Sequence, residues 1–213
     1  MVDRHSRSRT SRLTMADNRT TTKEQTMTSI GIIIGSTRPG RKSSSVAEWV
    51  RMQAAGCSDA HFELIDLADF DLPHLDEPAA AAMSRDYRGQ HTIRWSSAID
   101  RYDGYIFVTP EYNHGPTGVL KNAIDYLYYE WRDKAVGFVG YGTSGGTRAV
   151  EQLRLVTAEL HMASVRDQVA LSLFDDFDSE GNIAPRDHHR QTLSRMVDQV
   201  VAWSQALAPL RGM

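Results

Sequence analysis

Cysteine is almost missing: the 213 residues hold one, Cys57, so no internal disulfide can form and the composition suits a reducing compartment such as the cytoplasm. Cys57 sits in Ala-Ala-Gly-Cys-Ser at a helix end, a setting that favours an inert thiol over a nucleophile. Long apolar runs are also lacking, and nothing approaches the ~20 residues of a membrane helix. There is no excess of positive charge. Lys and Arg total 24 against 27 Asp and Glu, giving a net charge of −3, so no global electrostatic case for nucleic acid exists. No internal repeat, secretory signal or Cys/His/carboxylate set with metal-ligand spacing is found, and His188-His189 read as exposed helix-start residues. What remains is an ordinary globular composition, 41% hydrophobic, in a length that fits one domain with a real core.

The chain divides into three parts. Residues 1–27 are rich in Arg, Ser and Thr without apolar periodicity, and read as a disordered tail; Met15 and Met27 are alternative starting residues. Asp3, Asp17 and Glu24 argue against a transit peptide. Residues 28–207 form the folded domain and 208–213 a C-terminal tail. Within the domain, strands are expected from Ile30, over His61–Leu67, Gly104–Thr109 and Ala135–Tyr141, and over Val169–Leu173. Helical spacing marks Val46–Ala54, Thr92–Asp103 (Ile93, Ser96 and Ile99 on one face) and the stripe Val119, Leu120, Ala123, Ile124 and Leu127. Two more helices carry Val150, Leu153 and Leu160, then Leu193, Met196, Val197, Val200 and Trp203. The stretch from Ala68 to Gly89 is too long for a plain connector. Five strands alternating with helices predict an α/β fold: a doubly wound parallel sheet covered on both sides, in three layers.

In such sheets the ligand lies beyond the carboxyl ends of the strands. The loops after the first, third and fourth strands are Gly- or Pro-marked and polar, which argues one shared site. The first is the most telling. A buried Ile-Gly-Ile-Ile-Ile run ends at Gly35, followed by Ser36, Thr37 and the cations Arg38, Arg41 and Lys42. Ser43 to Ser45 then offer N-caps for a helix from Val46. Helix N-terminal N–H groups beside cations are suited to an anion, and above all a phosphate.

Several near-matches fail on chemistry. Gly35-x-x-x-x-Gly40-Arg-Lys-Ser43 has one residue too many for a Walker A loop: Arg41 displaces the lysine and Pro39 removes an N–H. Gly140-x-Gly142-x-x-Gly145 matches a dinucleotide fingerprint, but it lies in the fourth βα unit and lacks the acidic residue on the next strand. Asp176 to Asp187 echoes a calcium loop, yet a strand precedes it and Asp replaces the bidentate Glu. Ser144, in Gly-Thr-Ser-Gly-Gly, forms no Gly-x-Ser-x-Gly elbow.

Taken together, Gly35-Ser-x-Arg38, Thr109-Pro-Glu-Tyr-Asn113, Leu120-Lys-Asn-Ala-Ile-Asp125 and Tyr141-Gly-x-x-Gly-Gly146 resemble the NADPH-dependent FMN reductase family over about residues 28–205. The resemblance implies a flavodoxin-like fold with strand order 2-1-3-4-5, noncovalent FMN, and NAD(P)H as co-substrate. It implies a ping-pong transfer of hydride through FMN to a quinone, azo compound or similar small acceptor, with no catalytic side chain and no metal. By position, Ser36, Arg38, Arg41, Lys42, Ser43 and Ser44 resemble the phosphate loop. Pro110, Glu111, Tyr112 and Asn113 resemble the loop along the flavin's polar edge, and Gly142, Thr143, Ser144, Gly145 and Gly146 the loop beside its pyrimidine end. There, N–H groups at a helix N-terminus are expected to stabilise negative charge on reduced flavin. His114 faces the flavin or packs at its loop. Other readings are a reductase supplying reduced FMN to a partner and a flavodoxin-like electron carrier with little turnover. A homodimer, or a tetramer of two such pairs, is expected, paired through the helix that ends in Tyr126, Tyr128, Tyr129 and Trp131. Neither nucleic acid nor membrane is expected as a partner.

Overall fold

Five apolar runs become five parallel strands because each is covered on both faces. In the computed structural model, which describes residues 27–212, these are β1 (Thr28–Ile34), β2 (Ala60–Asp66), β3 (Gly104–Pro110), β4 (Ala135–Gly142) and β5 (Ala163–Ser172). They form one sheet in the order β2-β1-β3-β4-β5. The expected tail, apart from Met27, lies outside the described residues. The connecting helices are α1 (Ser43–Ala54), α2 (Gln90–Asp100), α3 (Gly118–Asp125), α4 (Thr147–Glu159) and α5 (Asp187–Leu207).

Side chains alternate across each strand, so the continuous Ile run feeds two cores. Ile30, Ile32 and Ile34 face Val46 and Val50 of α1 and Met196 and Val200 of α5. Ile33 points the other way with Tyr105, Phe107 and Phe138, towards α2, α3 and α4. That second core is aromatic: Trp131 packs edge-on against Tyr105, with ring centroids 5.0 Å apart, and its indole N–H donates to the Ile124 carbonyl at 3.1 Å.

Some expectations need correction. Trp131 and Tyr126 are fully buried, so they are core rather than an aromatic interface patch; Tyr128 and Tyr129 are half-buried. Helix α3 ends at Asp125, and Val119, expected on its buried stripe, is exposed. On α2 the buried face is Thr92, Trp95 and Ile99, leaving Ile93 outside, and Trp203 of α5 is exposed. Helix α1 begins at Ser43, with Lys42 in the cap position and no side-chain cap bond, so the serines belong to its first turn. Residues 208–212, expected as a tail, continue as a 3-10 turn, and Arg211 donates to the carbonyls of Asp133 and Ser204 at 3.1 and 3.2 Å.

The long stretch from Ala68 to Gly89 has little regular structure beyond its first two residues, yet it is tied to α3 and the segment after it. Asn122 donates to the Pro73 carbonyl at 2.7 Å and accepts from the Leu75 N–H at 3.0 Å. Tyr126 reaches the Pro73 carbonyl and the Asp76 carboxylate, and Tyr129 the Ala82 carbonyl. At the amino ends of the strands Lys134, 3% exposed, donates to the last carbonyls of α2, Ile99 and Asp100. Burial pushes its ammonium down to about 8.

Candidate functional site

At the carboxyl edge of the sheet the loops after β1, β3 and β4 converge, as their composition suggested. They enclose a cavity of about 270 Å³ lined by Arg38, Gly40, Arg41, Pro110, Tyr112 and Gly142, among others. Ser36, buried beneath the first loop, has its hydroxyl 3.4 Å from the Tyr112 phenol, joining the first and third loops. Thr117 caps α3 by accepting from the Leu120 N–H and donates to the Gly35 carbonyl at 2.5 Å, a second tie between the same loops. A larger, polar cavity of about 490 Å³ lies at the opposite edge, around Asp103 and Lys134, with none of the glycine loops.

The third loop is a tight hairpin. Tyr112 and Gly115 exchange both backbone hydrogen bonds, at 2.9 and 3.0 Å, across Asn113 and His114. Both central residues have positive φ, 50° and 69°, the signature of a type I′ turn. It leaves Tyr112, Asn113 and His114 exposed at the mouth of the site. In the fourth loop Gly145 and Gly146 both have φ of 68°, and a Cβ on Gly146 would sit 2.5 Å from the Tyr141 nitrogen. Only glycine fits there. Thr143 and Ser144 are exposed at the rim.

The helix N-termini at this edge are not equivalent. Thr117 caps α3, the Glu77 carboxylate takes the Arg88 and Gly89 N–H groups before α2, and α5 carries Asp187 in its first turn. The first turn of α4 is occupied by Glu111, whose carboxylate accepts from the N–H groups of Arg148 at 3.0 Å and Ala149 at 3.4 Å. Helix α1 has no side-chain cap and no acidic residue in its first turn. Its Ser43 hydroxyl is buried and makes no hydrogen bond of good geometry among the described residues, its polar neighbour being the Tyr141 phenol. A positive helix end without a carboxylate or side-chain cap, beside a buried and poorly satisfied hydroxyl, fits a phosphate.

The cations around that end have different commitments. Arg41 pairs with Asp66 at the end of β2 and donates to the Ser44 hydroxyl at 3.0 Å. Lys42 donates to the Gly181 carbonyl at 3.1 Å and lies 4.9 Å from the Phe177 ring centre. Arg38 is exposed and makes no carboxylate pair among the described residues. Among these three cations it is the one left for an incoming anion.

Two features were not anticipated. Tyr141, buried, lines the cavity, and burial pushes its phenol up to about 12, so it stays protonated. Glu111 turns its carboxylate, 5% exposed, into an ion pair with Arg148, which also contacts His114 Nε2 at 2.7 Å. His114, exposed, packs at its loop against the Arg148 guanidinium. The N–H groups of Arg148 and Ala149, at the start of the helix expected to face reduced flavin, are given to Glu111. A signal for this was present in the sequence: a cation in the first turn of a helix opposes the helix dipole and calls for a nearby acid.

An open parallel sheet with this strand order, and a cavity at its carboxyl edge beside an uncapped helix N-terminus, defines a protein of flavodoxin-like architecture. The same fold is seen in the flavoenzyme NAD(P)H:(acceptor) oxidoreductase FerB from Paracoccus denitrificans, with TM-score 0.65 and 21% identity over 84% of this chain and 98% of that one. The NADPH-dependent FMN reductase family matches residues 28–176, and the chain belongs to that family. It is 46% identical over 132 residues to an NAD(P)H-dependent FMN reductase of a Nectria species, covering 60% of this chain and 66% of that protein. It is 38% identical over 155 residues to another from Schizosaccharomyces pombe, covering 72% and 78%. A quinone reductase of Pseudomonas putida is 30% identical over 187 residues, 82% and 94%. The chain is thus an oxidoreductase of the FMN type that uses NAD(P)H. Among the described residues no helix is long and apolar enough to cross a membrane, and no cluster of side chains is arranged for a metal.

Proposed function

We propose that this reductase passes electrons from NAD(P)H to a flat acceptor of the quinone or azo type in two separate half-reactions. Bound FMN supplies the redox chemistry, taking a hydride from NAD(P)H and delivering two electrons onward. The chain's own residues hold and orient. The α1 N-terminus, Ser36, Ser43, Ser44 and Arg38 take the phosphate, with Arg41 and Lys42 buttressing that loop through Asp66 and Gly181. Pro110 to Asn113 and Gly142 to Gly146 would flank the ring; of these, Pro110, Glu111, Tyr112 and Gly142 line the cavity. The observation that carries this reading is the uncapped α1 N-terminus opening on the cavity. The acceptor class is supported by the relatives: the P. putida protein is a quinone reductase, and an FMN-dependent NADPH-azoreductase of Staphylococcus saprophyticus is 28% identical.

The test is steady-state kinetics with NAD(P)H and a benzoquinone, both varied. Parallel double-reciprocal lines with FMN retained are expected; intersecting lines would rule out the two-step scheme. A second reading, a reductase that supplies reduced FMN to a partner, draws support from the two loop cations already engaged elsewhere, which leave the phosphate lightly held. Turnover that requires added FMN and saturates with it would favour that reading.

The working unit in this proposal is a homodimer, able to pair again into a tetramer. Exposed Val119 borders a cavity of about 320 Å³ with Leu67, Leu72 and Thr37, directly beside the phosphate loop, so a second copy seated there would wall the site. Sedimentation showing a fully active monomer would refute this. Unpaired Cys57 is in keeping with a cytoplasmic location.

A further inference from the structure

Arg148 places a cation in the first turn of α4, where the helix dipole already concentrates positive charge. The protein answers with one carboxylate. Glu111, from the loop after β3, pairs with the guanidinium and accepts from the Arg148 and Ala149 N–H groups. His114 Nε2 lies against the other side of Arg148, and Gln152 donates to the His114 carbonyl at 2.6 Å. Loop three and the start of helix α4 are therefore clamped to each other. The clamp lies directly behind the cavity wall: a Cβ added to Gly142 would stand 3.3 Å from the Glu111 Cβ, and both residues line the cavity.

We infer that Glu111 is a positioning residue which, with Arg148, sets the preference of the site for one oxidation state of FMN by fixing the charge at the positive end of α4. The inference rests on the FMN assignment. Reduction adds negative charge to the pyrimidine end of the ring, the end that the Gly142–Gly146 loop adjoins by position. With the carboxylate in place, helix end and guanidinium are largely neutralised, and the wall is close to indifferent between the two states. Removing the Glu111 charge uncovers a cation; removing the Arg148 charge uncovers an anion. The two substitutions must therefore move the preference in opposite directions, whereas loss of a merely structural clamp would weaken both states alike.

The experiment uses the full chain and FMN itself. Dissociation constants for oxidised and reduced FMN are measured under anaerobic conditions for the wild type, Glu111→Gln and Arg148→Gln, with folding checked by circular dichroism. The potential of the bound cofactor gives the same ratio independently. Glu111→Gln is expected to favour reduced over oxidised FMN by roughly tenfold relative to wild type, the effect of one partly screened charge at that helix end. Arg148→Gln is expected to shift the ratio the other way by a similar factor. Ratios within twofold of wild type in both folded variants, or shifts of the same sign, overturn the inference. A wild type that binds neither form of FMN overturns the cofactor assignment instead. If Glu111→Gln does not fold, the sign of the Arg148→Gln shift decides alone.

Discussion

Replacing Arg38 by Ala tests the division of labour among the loop cations. Arg38 is exposed and makes no carboxylate pair among the described residues, so its removal breaks no ion pair there and should change folding stability by no more than about 0.5 kcal/mol. Its expected work is a charge-assisted hydrogen bond to the FMN phosphate, worth roughly 1.5–3 kcal/mol. At 1.4 kcal/mol per decade, that is a loss of roughly ten- to hundredfold in FMN affinity. Arg41→Ala should cost less in affinity, because its guanidinium is already held by Asp66 and Ser44 and supports the loop from outside. The assay is titration of the apoprotein with FMN, followed by quenching of flavin fluorescence at two salt concentrations. Salt should weaken the wild type more than Arg38→Ala, since one screened contact is gone. FMN affinity within threefold of wild type in a folded Arg38→Ala protein, or a larger loss in Arg41→Ala, would refute the reasoning.

Three further outcomes are expected. Trp131→Ala should destabilise the fold by about 3–5 kcal/mol in urea unfolding, as for other large aromatic truncations, because the side chain is fully buried; a loss of assembly with unchanged stability would contradict its place in the core. Gly146→Ala should cost about 2 kcal/mol or more, since φ of 68° is unfavourable to any Cβ and this one would meet the Tyr141 nitrogen; a neutral urea midpoint would show that the loop can rearrange freely. Lys134 titrates near 8 when folded and near 10.4 when unfolded, so between these values the unfolded state binds more protons and stability rises with pH. The gap amounts to roughly 3 kcal/mol, spread over about pH 8 to 10, and should be absent from Lys134→Met; equal slopes in the two proteins would exclude it.

The fold was largely legible because a parallel sheet buries its strands on both faces, and such strands write themselves as unbroken apolar runs. Strand β5 was half missed for the same reason: at the sheet edge, Ser164, Arg166 and Gln168 interrupt its first half, and only Val169 onward reads as buried. The site loops were marked by glycine and proline, and the structure brings all three together. What the sequence could not reveal was which polar group answers which. Whether the positive end of α1 or of α4 is open depends on Glu111 reaching 37 positions along the chain to Arg148, and no local pattern encodes that. Burial of Trp131 was equally hidden, since a helix-end aromatic run looks the same whether it turns inward or outward.

The anchored stretch between Ala68 and Gly89 has a consequence for how this architecture varies. A loop held only by its ends tolerates insertions cheaply. Here Asn122 and Tyr126 fix the backbone of Pro73, His74 and Leu75 at defined points, and Tyr129 fixes Ala82. One residue added between those points would put the later anchor out of step with its partner. An insertion between Leu75 and Ala82 should thus release the segment from Tyr129 while leaving its ties to Asn122 and Tyr126 in register, so the stretch can change length only by giving up an anchor.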